Sequence, residues 1–232
     1  MSDSSSLTSK ISAQDALQTL VSVEVPLTYL HLNAGFEKPL LIFFHGYTDT
    51  AAGFLKRALE ELDSRYEVLA PNGLFPTPVK IEGGWKQAFA WYFSDFSSKR
   101  VLIPPTVSAK AVADLIEKLN LQDRPKVLIG FSQGGFFLPF VFPLLKNIRK
   151  LIAVGSAFRP EDYPENFSMA LDAIHGTEDQ IITLEQSEKS FRSLEVRNPR
   201  GQFHSFEGLG HTMNNESRAV LKSLIEEAFA SN

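Results

Sequence analysis

Hydrophobic positions along the chain fall into two patterns. From Val21 to Leu32 they alternate with polar ones, putting Val23, Val25, Leu27, Tyr29 and His31 in one register, and this period of two predicts a strand with one covered face at a sheet edge. Leu40–Phe44, Val68–Ala70, Val127–Ile129, Leu151–Val154 and Leu171–Ile174 are instead short, nearly continuous apolar runs. Such runs suit strands covered on both faces, as in a parallel sheet. Between them the apolar spacing turns helical, over Ala51–Leu62, Val107–Leu119, Gly134–Lys146, Leu184–Leu194 and Asn215–Phe229. Alternation of buried strands with helices predicts an α/β class protein, with a mostly parallel, doubly wound sheet and helices on both faces.

Two segments break the pattern. Pro139 and Pro143 fall within the helix expected after Val127–Ile129. Each removes a backbone donor and crowds the preceding turn, so that helix is expected to bend or stop early. Asn72–Pro105 is long, rich in Pro and Gly, and carries Phe75, Trp85, Phe89, Trp91, Tyr92, Phe93 and Phe96. A loop of that length and aromatic content reads as a binding wall rather than a connector.

The length of 232 residues and the 44% apolar content fit one domain with a sheet between two helical layers, expected over 15–232 after a short disordered, Ser-rich lead over 1–14. With 23 basic and 27 acidic residues the formal charge is −4, which offers no field for a phosphate backbone, so nucleic acid is not an expected partner. The chain has no cysteine, which excludes disulfides, thiolate metal sites and a cysteine nucleophile. The N-terminus lacks the basic start and apolar run of an export signal. The most apolar stretch, Phe136–Leu145, is short and broken by prolines, so no stable membrane insertion is expected. From these absences the protein is expected to be soluble and cytoplasmic.

Gly130-Phe131-Ser132-Gln133-Gly134 follows a predicted strand and opens a predicted helix, the setting in which a G-x-S-x-G sequence forms a sharp turn presenting the serine. Side chains in place of the glycines would collide with the flanking strand and helix. Outside that setting the same pattern is only a glycine-rich turn with an inert serine. A serine hydroxyl needs a base and an acceptor to orient that base. Of the five histidines, His31 and His204 lie in strand-like segments, while His211 follows Gly208-Leu209-Gly210 in a loop able to reach the strand tips. Asp179 lies in the turn His175-Gly176-Thr177-Glu178-Asp179 after Leu171–Ile174; adjacent Glu178 is its main rival, and Asp172, inside the strand, a weaker one. Donors for an oxyanion are expected from the N–H of Gln133 and, after Leu41-Ile42-Phe43-Phe44, from the N–H of Tyr47 in His45-Gly46-Tyr47-Thr48-Asp49. His45 itself reads as a prop for that loop.

Together, His45-Gly46-Tyr47-Thr48-Asp49, Gly130-Phe131-Ser132-Gln133-Gly134-Gly135, His175-Gly176-Thr177-Glu178-Asp179 and Gly210-His211 resemble the carboxylesterase/phospholipase branch of the α/β-hydrolases, which includes acyl-protein thioesterases and lysophospholipases. The resemblance spans about Leu40–His211. It implies a Ser132, Asp179, His211 triad, oxyanion donors at Tyr47 and Gln133, and an acyl site lined by the Trp91-Tyr92 pair. Phe75 joins Trp91 and Tyr92 as an expected substrate-binding residue, with Trp85, Phe89 and Phe136 as further apolar candidates. Tyr47-Thr48 departs from the small or aliphatic residue and second glycine usual there, which bears on the pocket mouth. The expected activity is hydrolysis of carboxylic esters of small to medium acyl or aryl groups, without metal or cofactor. Lysophospholipid and protein thioester substrates, a small peptidase, and a non-catalytic binding protein on the same fold are the alternatives. A homodimer is compatible with an aromatic-rich surface.

Overall fold

The computed structural model describes residues 24–35, 37–95, 100–163, 170–194 and 200–230. The expected lead over 1–14 lies outside the described residues. A seven-stranded sheet forms the centre, from β1 (Tyr29–Leu32), β2 (Leu40–Phe44), β3 (Glu67–Pro71), β10 (Lys126–Phe131), β11 (Ile148–Val154), β12 (Leu171–Gly176) and β13 (Phe203–Phe206), in the order β1-β3-β2-β10-β11-β12-β13. Only β1 is antiparallel to its neighbour. It is also shorter than the alternation predicted, because its partner β3 ends at Pro71, opposite Tyr29, leaving 24–28 without a strand to pair with.

Every residue of β2, β3, β10 and β12 is buried. Side-chain alternation sorts these strands into two cores. Leu40, Ile42, Phe44, Leu128 and Leu151 pack under α2 (Pro105–Lys118), α3 (Gln133–Val141) and α4 (Leu184–Arg192); Leu41, Phe43, Val127, Ile129 and Val154 pack under α1 (Ala51–Ala58) and α5 (Asn215–Ala230). Helix α1 ends four residues before the predicted Leu62, since Leu59 turns extended at its C-cap. Helix α3 stops at Val141 with Pro139 inside it, and Pro143 sits in the 3-10 turn Phe142–Leu144 that follows, as the two prolines led one to expect. None of the helices among the described residues is long and apolar enough to cross a membrane.

The long segment after β3 is built of hairpins. Strands β4 (Phe75–Pro76) and β7 (Phe89–Ala90) pair with each other, as do β5 (Val79–Ile81) with β6 (Gly84–Lys86) and β8 (Phe93–Asp95) with β9 (Arg100–Ile103). Phe89 is also bridged to Asp49, which ties this segment to the loop after β2. The chain leaves β2 for β3 on one side and returns to β10 on the other. The direction of the connections therefore reverses between β2 and β10, the point at the carboxyl ends of the strands where open sheets of this kind place their ligands.

Candidate active site

Ser132 stands at that reversal, directly after β10. It takes φ +52° and ψ −115°, a left-handed region strained for a residue with a side chain, and its N–H bonds the Val154 carbonyl at 2.8 Å. The flanking glycines make the turn sterically feasible. A Cβ on Gly130 would lie 2.3 Å from the Gly134 carbonyl oxygen, and one on Gly134 would lie 2.1 Å from the Phe44 oxygen and 2.7 Å from the His45 oxygen. All of these are backbone atoms that cannot swing aside. Gly134→Ala is accordingly expected to cost about 3 kcal/mol of stability or more, read as a lowered urea midpoint; an unchanged midpoint would show that α3 can retreat from β2. Ser156, which nothing in the sequence marked beyond its place after β11, donates from Oγ to the Ser132 carbonyl at 2.7 Å and holds the turn from the other side.

Asp179 and His211 meet two strands away. Asp179 is buried; its Oδ1 accepts the N–H groups of Ile181 and Ile182, both at 2.9 Å, and its Oδ2 lies 2.6 Å from His211 Nδ1. The loops after β12 and β13 are laced together by Glu178 N–H to the Leu209 carbonyl (3.0 Å), Thr177 N–H to the Phe206 carbonyl (2.9 Å) and Gly208 N–H to Thr177 Oγ1 (3.0 Å). A Cβ on Gly176 would sit 2.0 Å from the Leu209 oxygen, so that glycine permits the close approach. The His211 ring packs on Phe131 at 4.8 Å between centroids, beside the residue that precedes Ser132. Among the described residues no hydrogen bond joins the Ser132 hydroxyl to His211; such contacts are often long until substrate binds. The rival carboxylates are placed elsewhere, with Glu178 exposed and Asp172 paired with Lys150 at 2.7 Å.

Two further histidines brace the loops. His175 lies with Nε2 2.8 Å from the Ile182 carbonyl and 3.5 Å from Asp179 Oδ2, and burial lowers its pKa. His45 is fully buried. Its Nδ1–H donates to the Gly46 carbonyl (2.7 Å), its Nε2 accepts the Gly73 N–H (2.8 Å), and its own carbonyl accepts Trp91 Nε1–H (2.8 Å), so it props the loop as the sequence suggested. Desolvation lowers its pKa to about 4. Between pH 6.5 and 4 the unfolded chain then holds the extra proton, so the contribution of His45 to stability is intact above 6.5 and falls with pH. The fall amounts to roughly 3 kcal/mol at 1.36 kcal/mol per unit. The stability gap between the native protein and His45→Gln is expected to narrow by that amount between pH 7 and 4 in urea titrations; parallel pH curves would contradict it.

The expected donors and walls divide. Gln133 is the first residue of α3, where an N–H has no acceptor within the helix. Tyr47 lies in the loop after β2, whose Gly46 approaches Ser132: a Cβ there would be 3.4 Å from the Ser132 Cβ. The Tyr47 side chain is exposed, with its ring 6.3 Å from that of Phe93, which in turn lies 5.7 Å from Phe75. Tyr92 is half-buried, 5.3 Å from Phe136, and Phe136 N–H bonds the Ser132 carbonyl. Trp91 departs from expectation. It is 0% exposed, stacked on Phe137 at 4.8 Å, and its indole N–H is spent on His45, so it anchors the wall from within the core and has no surface to offer a substrate. Phe89 is likewise buried, while Trp85 stands exposed on β6. A cavity of about 220 Å³ between Leu59, Leu62, Tyr66, Arg218 and Ile225 contains none of these residues.

The family model for Phospholipase/Carboxylesterase matches residues 32–228. The chain is 30% identical over 206 residues to acyl-protein thioesterase 1 homolog 2 of Dictyostelium discoideum, covering 81% of this chain and 91% of that protein. Its fold is similar to those of Zea mays acyl-protein thioesterase 2 (TM-score 0.66, 17% identity, 88% of this chain and 99% of that one) and TT1662 from Thermus thermophilus (TM-score 0.65, 20% identity, 89% and 95%). With an α/β-hydrolase sheet, a strained serine directly after β10 and a match across most of its length, the chain belongs to the phospholipase/carboxylesterase family of ester-cleaving α/β-hydrolases.

Proposed function

We propose that the protein is a carboxylesterase in which Ser132, His211 and Asp179 are nucleophile, base and acid. The observation that carries this reading is the 2.6 Å contact between Asp179 Oδ2 and His211 Nδ1. Because Asp179 Oδ1 is occupied by two backbone donors, Oδ2 is left to the imidazole, and a proton on Nδ1 leaves the Nε2 lone pair free. His211 Nε2 then takes the Ser132 hydroxyl proton as the oxygen attacks the carbonyl carbon. The tetrahedral oxyanion is met by the N–H groups of Gln133 and Tyr47. Collapse expels the alcohol with the proton from His211, leaving an acyl-Ser132. Water, deprotonated by His211, attacks the acyl carbon, and release of the acid returns the proton to Ser132. This sequence calls on no metal or cofactor.

The apolar surfaces of Tyr92, Phe136, Phe75, Phe93 and Tyr47 favour small to medium acyl or aryl esters. A thioesterase reading is favoured by one further observation, the 30% identity to a protein named as an acyl-protein thioesterase; the same machinery serves either leaving group. Turnover of p-nitrophenyl octanoate beside an octanoyl thioester compares the two leaving groups, and p-nitrophenyl esters from acetate to palmitate give the acyl-chain preference. A maximum at eight carbons or fewer is the expected result, and a maximum at palmitate would replace it with long-chain thioester or lysophospholipid substrates. No turnover of any ester would overturn the enzymatic reading.

A further inference from the structure

The side chain of Gln133 is committed to a task distinct from the one proposed for its N–H. Its Oε1 accepts the Trp91 N–H at 2.9 Å and its Nε2 donates to the Tyr92 carbonyl at 3.0 Å. A primary amide is the side chain that offers an acceptor and a donor on one rigid plane, so it holds the Trp91 N–H and the Tyr92 carbonyl at once. The rest of that segment is equally engaged. Ser108 Oγ–H donates to the Trp91 carbonyl, and Trp91 Nε1–H donates to His45 (2.8 Å), with the indole sunk against Phe137. Beyond this anchor, successive side chains go to opposite sides. Tyr92 reaches Phe136, one turn along α3 from Ser132, and Phe93 reaches Tyr47 and Phe75 beside the loop after β2.

We infer that the Gln133 carboxamide is a positioning group that fixes both aromatic walls of the acyl site relative to the Ser132 turn, and so sets acyl-chain preference. The inference rests on the function proposed above. Ser132 and Gln133 are adjacent on one rigid turn, so a bond from Gln133 to the wall transmits the wall's position directly to the reacting oxygen. Loss of the clamp leaves the backbone N–H of residue 133 in place but frees the wall to shift. A shifted wall penalises an octanoyl ester, which must lie along it, more than an acetyl ester, which does not reach it.

The test compares kcat/KM for p-nitrophenyl octanoate and acetate in the native protein, Gln133→Met and Gln133→Glu, with active sites counted by fluorophosphonate titration. Gln133→Met matches the shape and loses both bonds; its octanoate-to-acetate ratio is expected to fall about tenfold, mainly through KM for octanoate. Gln133→Glu carries the sharper readout. A protonated carboxyl accepts from Trp91 N–H and donates to the Tyr92 carbonyl as the amide does, whereas a carboxylate sets an oxygen against that carbonyl. Its ratio is expected to match the native protein at pH 5 and to fall severalfold by pH 9, while the native ratio stays flat, since titration of the base cancels between substrates. Ratios that stay at the native value in both variants overturn the inference while leaving the proposed function standing. A native protein without turnover or labelling overturns the proposed function and this inference with it.

Discussion

Ser132→Ala is expected to lower kcat on p-nitrophenyl butyrate by about 10⁶-fold, with the fold retained. The size of the effect follows from the role given to the oxygen: without it there is no acyl-enzyme, and the remaining N–H donors and imidazole have only water to activate. Retention of the fold follows from the contacts of Ser132, which lie in its backbone. Its N–H bonds Val154 and its carbonyl accepts from Ser156, Gly135 and Phe136, and alanine keeps all of these. The positive φ of the turn is as strained for alanine as for serine, so stability measured in urea is expected to stay within about 1 kcal/mol of the native value. A variant that keeps a tenth of native turnover would remove Ser132 from the mechanism.

The second large effect is expected from Asp179→Asn, about 10⁴-fold in kcat, and the geometry dictates its cause. Oδ1 of Asp179 accepts two backbone N–H groups, from Ile181 and Ile182. In asparagine the carbonyl oxygen must stay there, so the NH₂ turns toward His211. Facing a donor, Nδ1 must become the acceptor, the ring proton moves to Nε2, and the nitrogen that should take the Ser132 proton is already protonated. The defect is a wrong tautomer in an otherwise intact site. Glu178→Gln, one residue away but exposed, is the control and is expected to keep turnover within about twofold. Equal losses in the two variants would return the choice of acid to the pair.

These expectations draw on features that were unequally visible in the sequence. The buried parallel strands were legible because a strand covered on both faces leaves an unbroken apolar run, and Leu40–Phe44 matched the observed β2 at both ends. The edge strand was overread, since alternation says which face is covered but not how far a partner extends, and β3 runs out at Pro71. Motif glycines were legible because their need is local: a backbone atom lies where a Cβ would be. The aromatic wall was not. Trp91 and Tyr92 are neighbours of similar composition, yet one is core and the other half-buried beside Phe136, and only the packing of the hairpins decides which. The Gln133 clamp and the Ser156 bond join residues 42 and 24 positions apart in the chain, and polar side chains leave no periodic trace of such partners. Asp179 was preferred to Glu178 in the sequence only by position; the structure adds that Asp179 accepts two backbone N–H groups and lies against an imidazole while Glu178 is exposed.

The central claim is that Ser132 is an activated nucleophile, and covalent labelling addresses it without any assumption about substrate. The native protein should be treated with a fluorophosphonate, its intact mass measured and the labelled peptide sequenced. The account predicts one adduct per chain, on Ser132, absent in Ser132→Ala and formed far more slowly in Asp179→Asn. An unlabelled native protein, or an adduct on any other serine, would contradict it.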